Sequence, residues 1–265
     1  MTPVATRPRP GLTWRLTTAA LGRFSTDRVF GLLWWLVDPL VMVAVYLFVF
    51  SYVWRVVEQG ERGTYALFLA CGLIPWRWFS VVTTRGANAF FTHAGLLTST
   101  PVDRRVIVLS EVWASTIEAL LGVPVLLALM LWLERPITIH LLWLPIPLLI
   151  MGVFATGTAY LLCPLNVLVR DTANLHAAVL RVMWFLSPGL YSLGFVTDRL
   201  DAGWASAYVA LNPFVGLLEG VRRPLHDGLP PPWEALGWSA AWAVGVLVAG
   251  RWVFGRLQNA AVRML

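Results

Sequence analysis

The chain has 265 residues, 58% of them apolar and only 13% charged, with 15 tryptophans and a formal net charge of +6. Such a composition excludes a disordered chain or an ordinary soluble domain. The basic excess is spread over tails and loops, not gathered into the dense stripe that nucleic acid binding needs.

In chain order, residues 1–28 form a polar, arginine-bearing N-tail. Within it Leu12–Phe24 places Trp14, Leu21 and Phe24 on roughly one helical face, with Arg15 and Arg23 elsewhere. That is the pattern of an amphipathic helix on a membrane surface; an irregular tail is the alternative. Proline and arginine followed by a polar stretch do not make a cleavable signal peptide.

Residues 29–265 then carry six apolar stretches: Val29–Trp54, Thr64–Thr84, Val106–Leu133, Leu141–Val169, Thr172–Thr197 and Ala235–Phe254. A hydrocarbon core about 30 Å thick takes about 20 helical residues to cross. An open sheet would leave backbone groups unpaired in lipid, so these are helices. The expected fold is an all-α membrane protein with six transmembrane helices. Between the fifth and sixth, Trp204–Leu218 is apolar but too short to cross and is broken at Asn212-Pro213. It reads as re-entrant or interfacial, a gate at the outer mouth or a surface helix.

Arginine placement sets the expected sidedness. With the N-tail inside, that side holds Arg7, Arg9, Arg15, Arg23, Arg28, Arg85, Arg104, Arg105, Arg170, Arg251, Arg256 and Arg263. The other side holds Arg55, Arg62, Arg135, Arg199, Arg222 and Arg223. The larger cytoplasmic share, together with an even number of spans, puts both termini in the cytoplasm.

All 20 basic residues are arginine. A phosphate loop needs a lysine after its glycines, so this chain cannot hydrolyse ATP by that route. Cys71 and Cys163 lie in apolar runs and read as buried hydrophobes. His93, His140, His176 and His226 have no ligand spacing, so neither a disulfide nor a metal site is expected. No serine has the setting of an esterase elbow. Besides Asp38 in the first stretch and Arg251 near the end of the sixth, four charged groups fall within the stretches: Arg77, Glu111, Glu118 and Arg181. They fit a polar seam lining a substrate path. They fit equally a structural set, with Arg77 and Glu111 snorkelling and Glu118 pairing with Arg181. Aromatics crowd the spans, with Trp34, Tyr46 and Phe50 in the first, Trp76 in the second, and Trp184 and Tyr191 in the fifth. Their faces suit sugar rings, although belts at the lipid interfaces are their ordinary use.

The motif Leu33-Trp34-Trp35-Leu36-Val37-Asp38-Pro39-Leu40, followed by Tyr46-Leu47-Phe48-Val49-Phe50, resembles the first span of ABC-2-type permeases that export O-antigen, capsule and teichoic acid polymers. Gly72-Leu73-Ile74-Pro75-Trp76, Asn88 through Leu96, Asn166 through Asp171, Ser187-Pro188-Gly189-Leu190-Tyr191 and Leu211-Asn212-Pro213-Phe214 are similar to later motifs of that family, in the same order. Glu219-Gly220-Val221-Arg222 follows them.

The resemblance implies a bacterial inner-membrane half-transporter that moves a lipid-linked polysaccharide. Two copies would pair and bind two separate ATPase subunits, which hold the ATP and magnesium; no cofactor belongs to this chain. It also implies a coupling helix within Gly86–Arg105, with Asn88, Phe91, Gly95, Leu96, Pro101, Arg104 and Arg105 as contacts. The N-terminal helix would be a second contact, and Asn212, Pro213, Glu219 and Arg222 would form an outer gate. Thr100-Pro101 lacks the family's usual aromatic, and the connection lacks its lysines. A drug or lipid efflux permease of the same fold is the near alternative. An intramembrane enzyme or a secondary transporter is the wider one.

Overall fold

A computed structural model describes residues 10–26, 34–53 and 62–265, and every regular element among them is helical. Helix α1 is Pro10–Thr26, where the sequence periodicity predicts one. Thr17 and Ala20 are buried on it, and it packs along α5 (Arg104–Leu120). Helix α2 is Trp34–Phe48 and passes into a π-helical turn at Val49–Val53. Residues 27–33 and 54–61, which hold parts of the first predicted span and of the first motif, lie outside the described residues.

The centre of the molecule is α3, Arg62–Thr92. At about 1.5 Å per residue it is roughly 46 Å long. It touches α2, α5, α7 (Pro145–Leu168), α8 (Thr172–Leu186) and α11 (Pro213–Arg222). Pro75 sits inside it and Pro164 inside α7, as helices among helices tolerate. The sequence places the end of this span at Thr84 because Arg85 ends the apolar run. The helix instead continues for two further turns, because Arg85 finds a carboxylate inside the bundle. The connection therefore starts at His93, and its one regular piece is α4, Ala94–Ser99.

Among the described residues four helices are long and apolar enough to cross a membrane: Gly63–Thr92, Arg104–Trp132, Ile139–Leu168 and Trp233–Val262. The second comprises α5 and α6 (Gly122–Trp132), which meet at Leu121, and the last is α12. The fifth predicted stretch is not one helix. Its first part is α8, which stops at Leu186 before Ser187-Pro188. The chain then turns through α9 (Leu193–Thr197), α10 (Ala202–Leu211) and α11. Helices α10 and α11 meet at Asn212, where Pro213 begins α11 and the Asn212 side chain accepts from the Phe214 N–H. Proline at the first helical position and asparagine at the cap are a favoured start.

Helices α7 and α12 form the tightest pair. A Cβ on Gly250 would lie 2.2 Å from the Gly157 carbonyl oxygen, and one on Gly157 would lie 2.6 Å from the Leu247 backbone. Small residues let the two backbones approach, the usual source of cohesion between helices that lipid surrounds.

Candidate functional site

Two of the four intramembrane ionisable groups, Glu111 and Glu118, sit in pairs that the sequence does not display. Glu118 on α5 is 3% exposed and accepts from Arg85 of α3 at 2.8 Å; Ser115 accepts from the same guanidinium at 3.2 Å. The expected Glu118–Arg181 pair is thus corrected: Arg181 sits on an exposed face of α8. Glu111, also 3% exposed, does not snorkel from a helix end but lies 2.9 Å from the His93 ring nitrogen. Arg77 is half-buried on α3. One helical turn beyond Arg85, the Asn166 amide of α7 donates to the Ala87 carbonyl and to Asn88 Oδ1, both at 3.1 Å. His176 of α8 lies 2.9 Å from the Thr83 hydroxyl. These bonds tie the extended end of α3 to α5, α7 and α8. A buried polar group left unpaired is costly, so such a network fixes register.

At that end of the molecule α4 presents few buried side chains. Phe91 is 47% exposed, and Gly95, Pro101 and Arg105 are also exposed. Leu96 is different: it packs against the core. Asn88 and Arg104 are half-buried, Asn88 held by Asn166 and Arg104 donating to Asn259 of α12.

A second polar cluster joins α11 to the break after α8. Arg222 is 1% exposed and Glu219 7%, and the two form an ion pair. The same guanidinium donates to the Gly189 carbonyl at 3.2 Å and sits 3.7 Å from the Phe68 ring centroid. Gly72 leaves room for this: a Cβ there would be 3.0 Å from the Gly189 oxygen and 3.3 Å from Arg222 Nη2. Asn212 is buried and donates to the Leu186 carbonyl at 3.0 Å, with Ser187 Oγ at 3.2 Å. Tyr208 donates to the same carbonyl at 2.8 Å, and Tyr65 donates to the Leu190 carbonyl at 3.1 Å. The Leu186 carbonyl at the end of α8, and those of Gly189 and Leu190 in the turn beyond it, are thus met by side chains. Arg222 therefore leaves the set of solvated loop arginines in which its sequence position put it.

Trp76 and Trp184 are core residues of this chain. Their ring centroids are 5.3 Å apart, and Phe214 lies 4.7 Å from Trp76. Tyr46 is half-buried, Phe50 meets Tyr65 edge-on at 5.7 Å, and Tyr191 donates to the Phe185 carbonyl at 2.9 Å. The side chain of Trp34 lies outside those described. Sequence reasoning missed Arg85, His93, Asn166 and Ser187 as members of these clusters; Arg85 and His93 carried a signal, as ionisable groups between two apolar runs.

The arrangement is that of a polytopic helical membrane protein in which most polar groups within helices are paired internally, with a short exposed helix at one end. No protein-family model matches the chain. Over 204 residues, 76% of this chain and 74% of the relative, it is 30% identical to the O-antigen export system permease protein RfbA of Klebsiella pneumoniae. To RfbA of Myxococcus xanthus it is 29% identical over 224 residues, 84% of each chain. The polysialic acid transport protein KpsM of Escherichia coli is 22% identical over 230 residues, 86% of each. The chain belongs to the O-antigen export permease family.

Proposed function

We propose that this chain is the transmembrane subunit of an ATP-driven exporter that carries a lipid-linked polysaccharide across the inner membrane. The observation that carries this reading is its match to O-antigen export permeases over three-quarters or more of its length. The absence of any lysine agrees with ATP hydrolysis in a separate subunit. In this reading two copies pair, and two ATPase subunits bind on the cytoplasmic side with their ATP and magnesium.

Six membrane passages with both termini inside are the reading that the apolar runs and the arginine distribution favour; with the internally paired Arg85 and Arg222 both set aside, the inner side still holds the larger share. Helix α8 would make the fifth passage with the segment that follows it, and α10 and α11 would be the outer gate. The exposed Phe91 and Gly95 would face the ATPase, and α1 would lie at the inner surface. Force applied at α4 passes through the Arg85–Glu118 and Asn88–Asn166 bonds into α5 and α7. A transported chain or nucleotide biases such a two-state machine only by binding its states unequally.

The test is deletion of the gene in its own host. Lipid-linked polymer should accumulate on the inner face and return to the outer face with the wild-type gene. Unchanged surface polymer in the deletion strain would refute the assignment.

A further inference from the structure

A cavity of about 420 Å³ opens between α9, α10, Arg223 and the start of α12, and it shares no lining residue with either polar cluster described above. Its size falls within the usual range for small-molecule sites, about 300–1,000 Å³. Arg223, Trp233, Glu234, Ser206, Thr197 and Val209 line it.

The chemistry of this lining is specific. Trp233 is 48% exposed, and its ring is braced edge-on by Trp143 at 5.1 Å, so a flat apolar surface is held in place. The Ser206 hydroxyl donates to the Ala202 carbonyl at 2.9 Å, and the Thr197 hydroxyl to the Leu193 carbonyl at 3.3 Å. With those protons committed to their own helices, both oxygens offer only acceptor lone pairs to the cavity. Glu234 adds a carboxylate acceptor and Arg223 a set of donors. Among the described residues neither of the two is engaged in an ion pair.

A phosphate or sulfate would meet one cation against a carboxylate and two acceptor oxygens, a poor match. A lipid tail would leave the charges unpaired. A sugar ring satisfies every part: its C–H face covers an indole, its hydroxyls donate to Glu234, Ser206 and Thr197, and its oxygens accept from Arg223.

We propose that this cavity is a saccharide subsite that takes one hexose-sized unit of a neutral glycan. It rests on the export reading, where α9, α10 and the start of α12 lie at the outer mouth, and there it would hold the emerging polymer.

The test uses the full chain in lipid nanodiscs, with and without its ATPase. The probes are the methyl glycosides of glucose, mannose, galactose and N-acetylglucosamine, with inorganic phosphate as competitor. Saturation-transfer NMR should detect ring C–H protons of at least one glycoside. Binding should weaken about tenfold in Glu234→Gln and Trp233→Ala, persist in Trp233→Phe, and resist excess phosphate. If Trp233→Ala fails to fold, Glu234→Gln, at an exposed position, decides alone. No signal from any glycoside, equal signal in Glu234→Gln, or displacement by phosphate would overturn the subsite. Failure of the ATPase to co-purify would count against the export reading and leave the glycoside result, read on the permease alone, unaffected.

Discussion

The Glu219–Arg222 pair offers the sharpest test of how the helices after α8 are held. Replacing either partner by leucine leaves the other as an uncompensated charge in a site at most 7% exposed, which costs about 3–5 kcal/mol. Arg222→Leu also removes the bond to the Gly189 carbonyl and the contact with the Phe68 ring, the latter about 0.5–2 kcal/mol. Glu219→Leu with Arg222→Leu removes both charges together, leaving chiefly the Gly189 carbonyl without its donor, about 1–3 kcal/mol. A change of 1 kcal/mol moves the midpoint of a chain of this size by about 2–4 °C. Each single variant should therefore lose roughly 10 °C in detergent, followed by near-ultraviolet circular dichroism. The double variant should lie closer to wild type than either single one. Losses that simply add would mean that the two side chains do not act as a pair, and the reasoning would fail.

Gly157→Ala and Gly250→Ala each place a methyl against backbone in the α7–α12 contact and should cost about 1–3 kcal/mol in the same assay. Gly245→Ala and Gly255→Ala, on the same helix with open space around them, should cost nothing measurable. At the end of α3, Phe91→Asp should abolish co-purification of the ATPase while leaving the melting midpoint unchanged, because Phe91 is exposed. Leu96→Asp should lower both, since Leu96 packs on the core. Retained co-purification of Phe91→Asp would remove the end of α3 from the docking surface.

Hydropathy alone located the long helices, because a membrane-length apolar run has few other uses. It misjudged the ends where a charge has a partner distant in sequence. Arg85 looks like the end of a span until Glu118, 33 positions on, is seen beside it. The break after α8 was legible only as Ser187-Pro188-Gly189 inside an apolar run that would otherwise have sufficed to cross. Asn212-Pro213 announced a boundary, since proline cannot continue a helix from within. That Asn212 also meets the Leu186 carbonyl depends on packing that no local pattern encodes. By position Arg222 reads as a loop cation, and only the fold shows a carboxylate, a carbonyl and an aromatic ring gathered around it.

The central claim is that this chain is a conduit whose motive force comes from another subunit. Nucleotide turnover should be measured on the purified chain alone and after reconstitution with a separate polysaccharide-export ATPase. The chain alone should release no phosphate, and the reconstituted complex should hydrolyse ATP and pass lipid-linked polymer into vesicles. Hydrolysis by the isolated chain, or transport without the second subunit, would contradict the account.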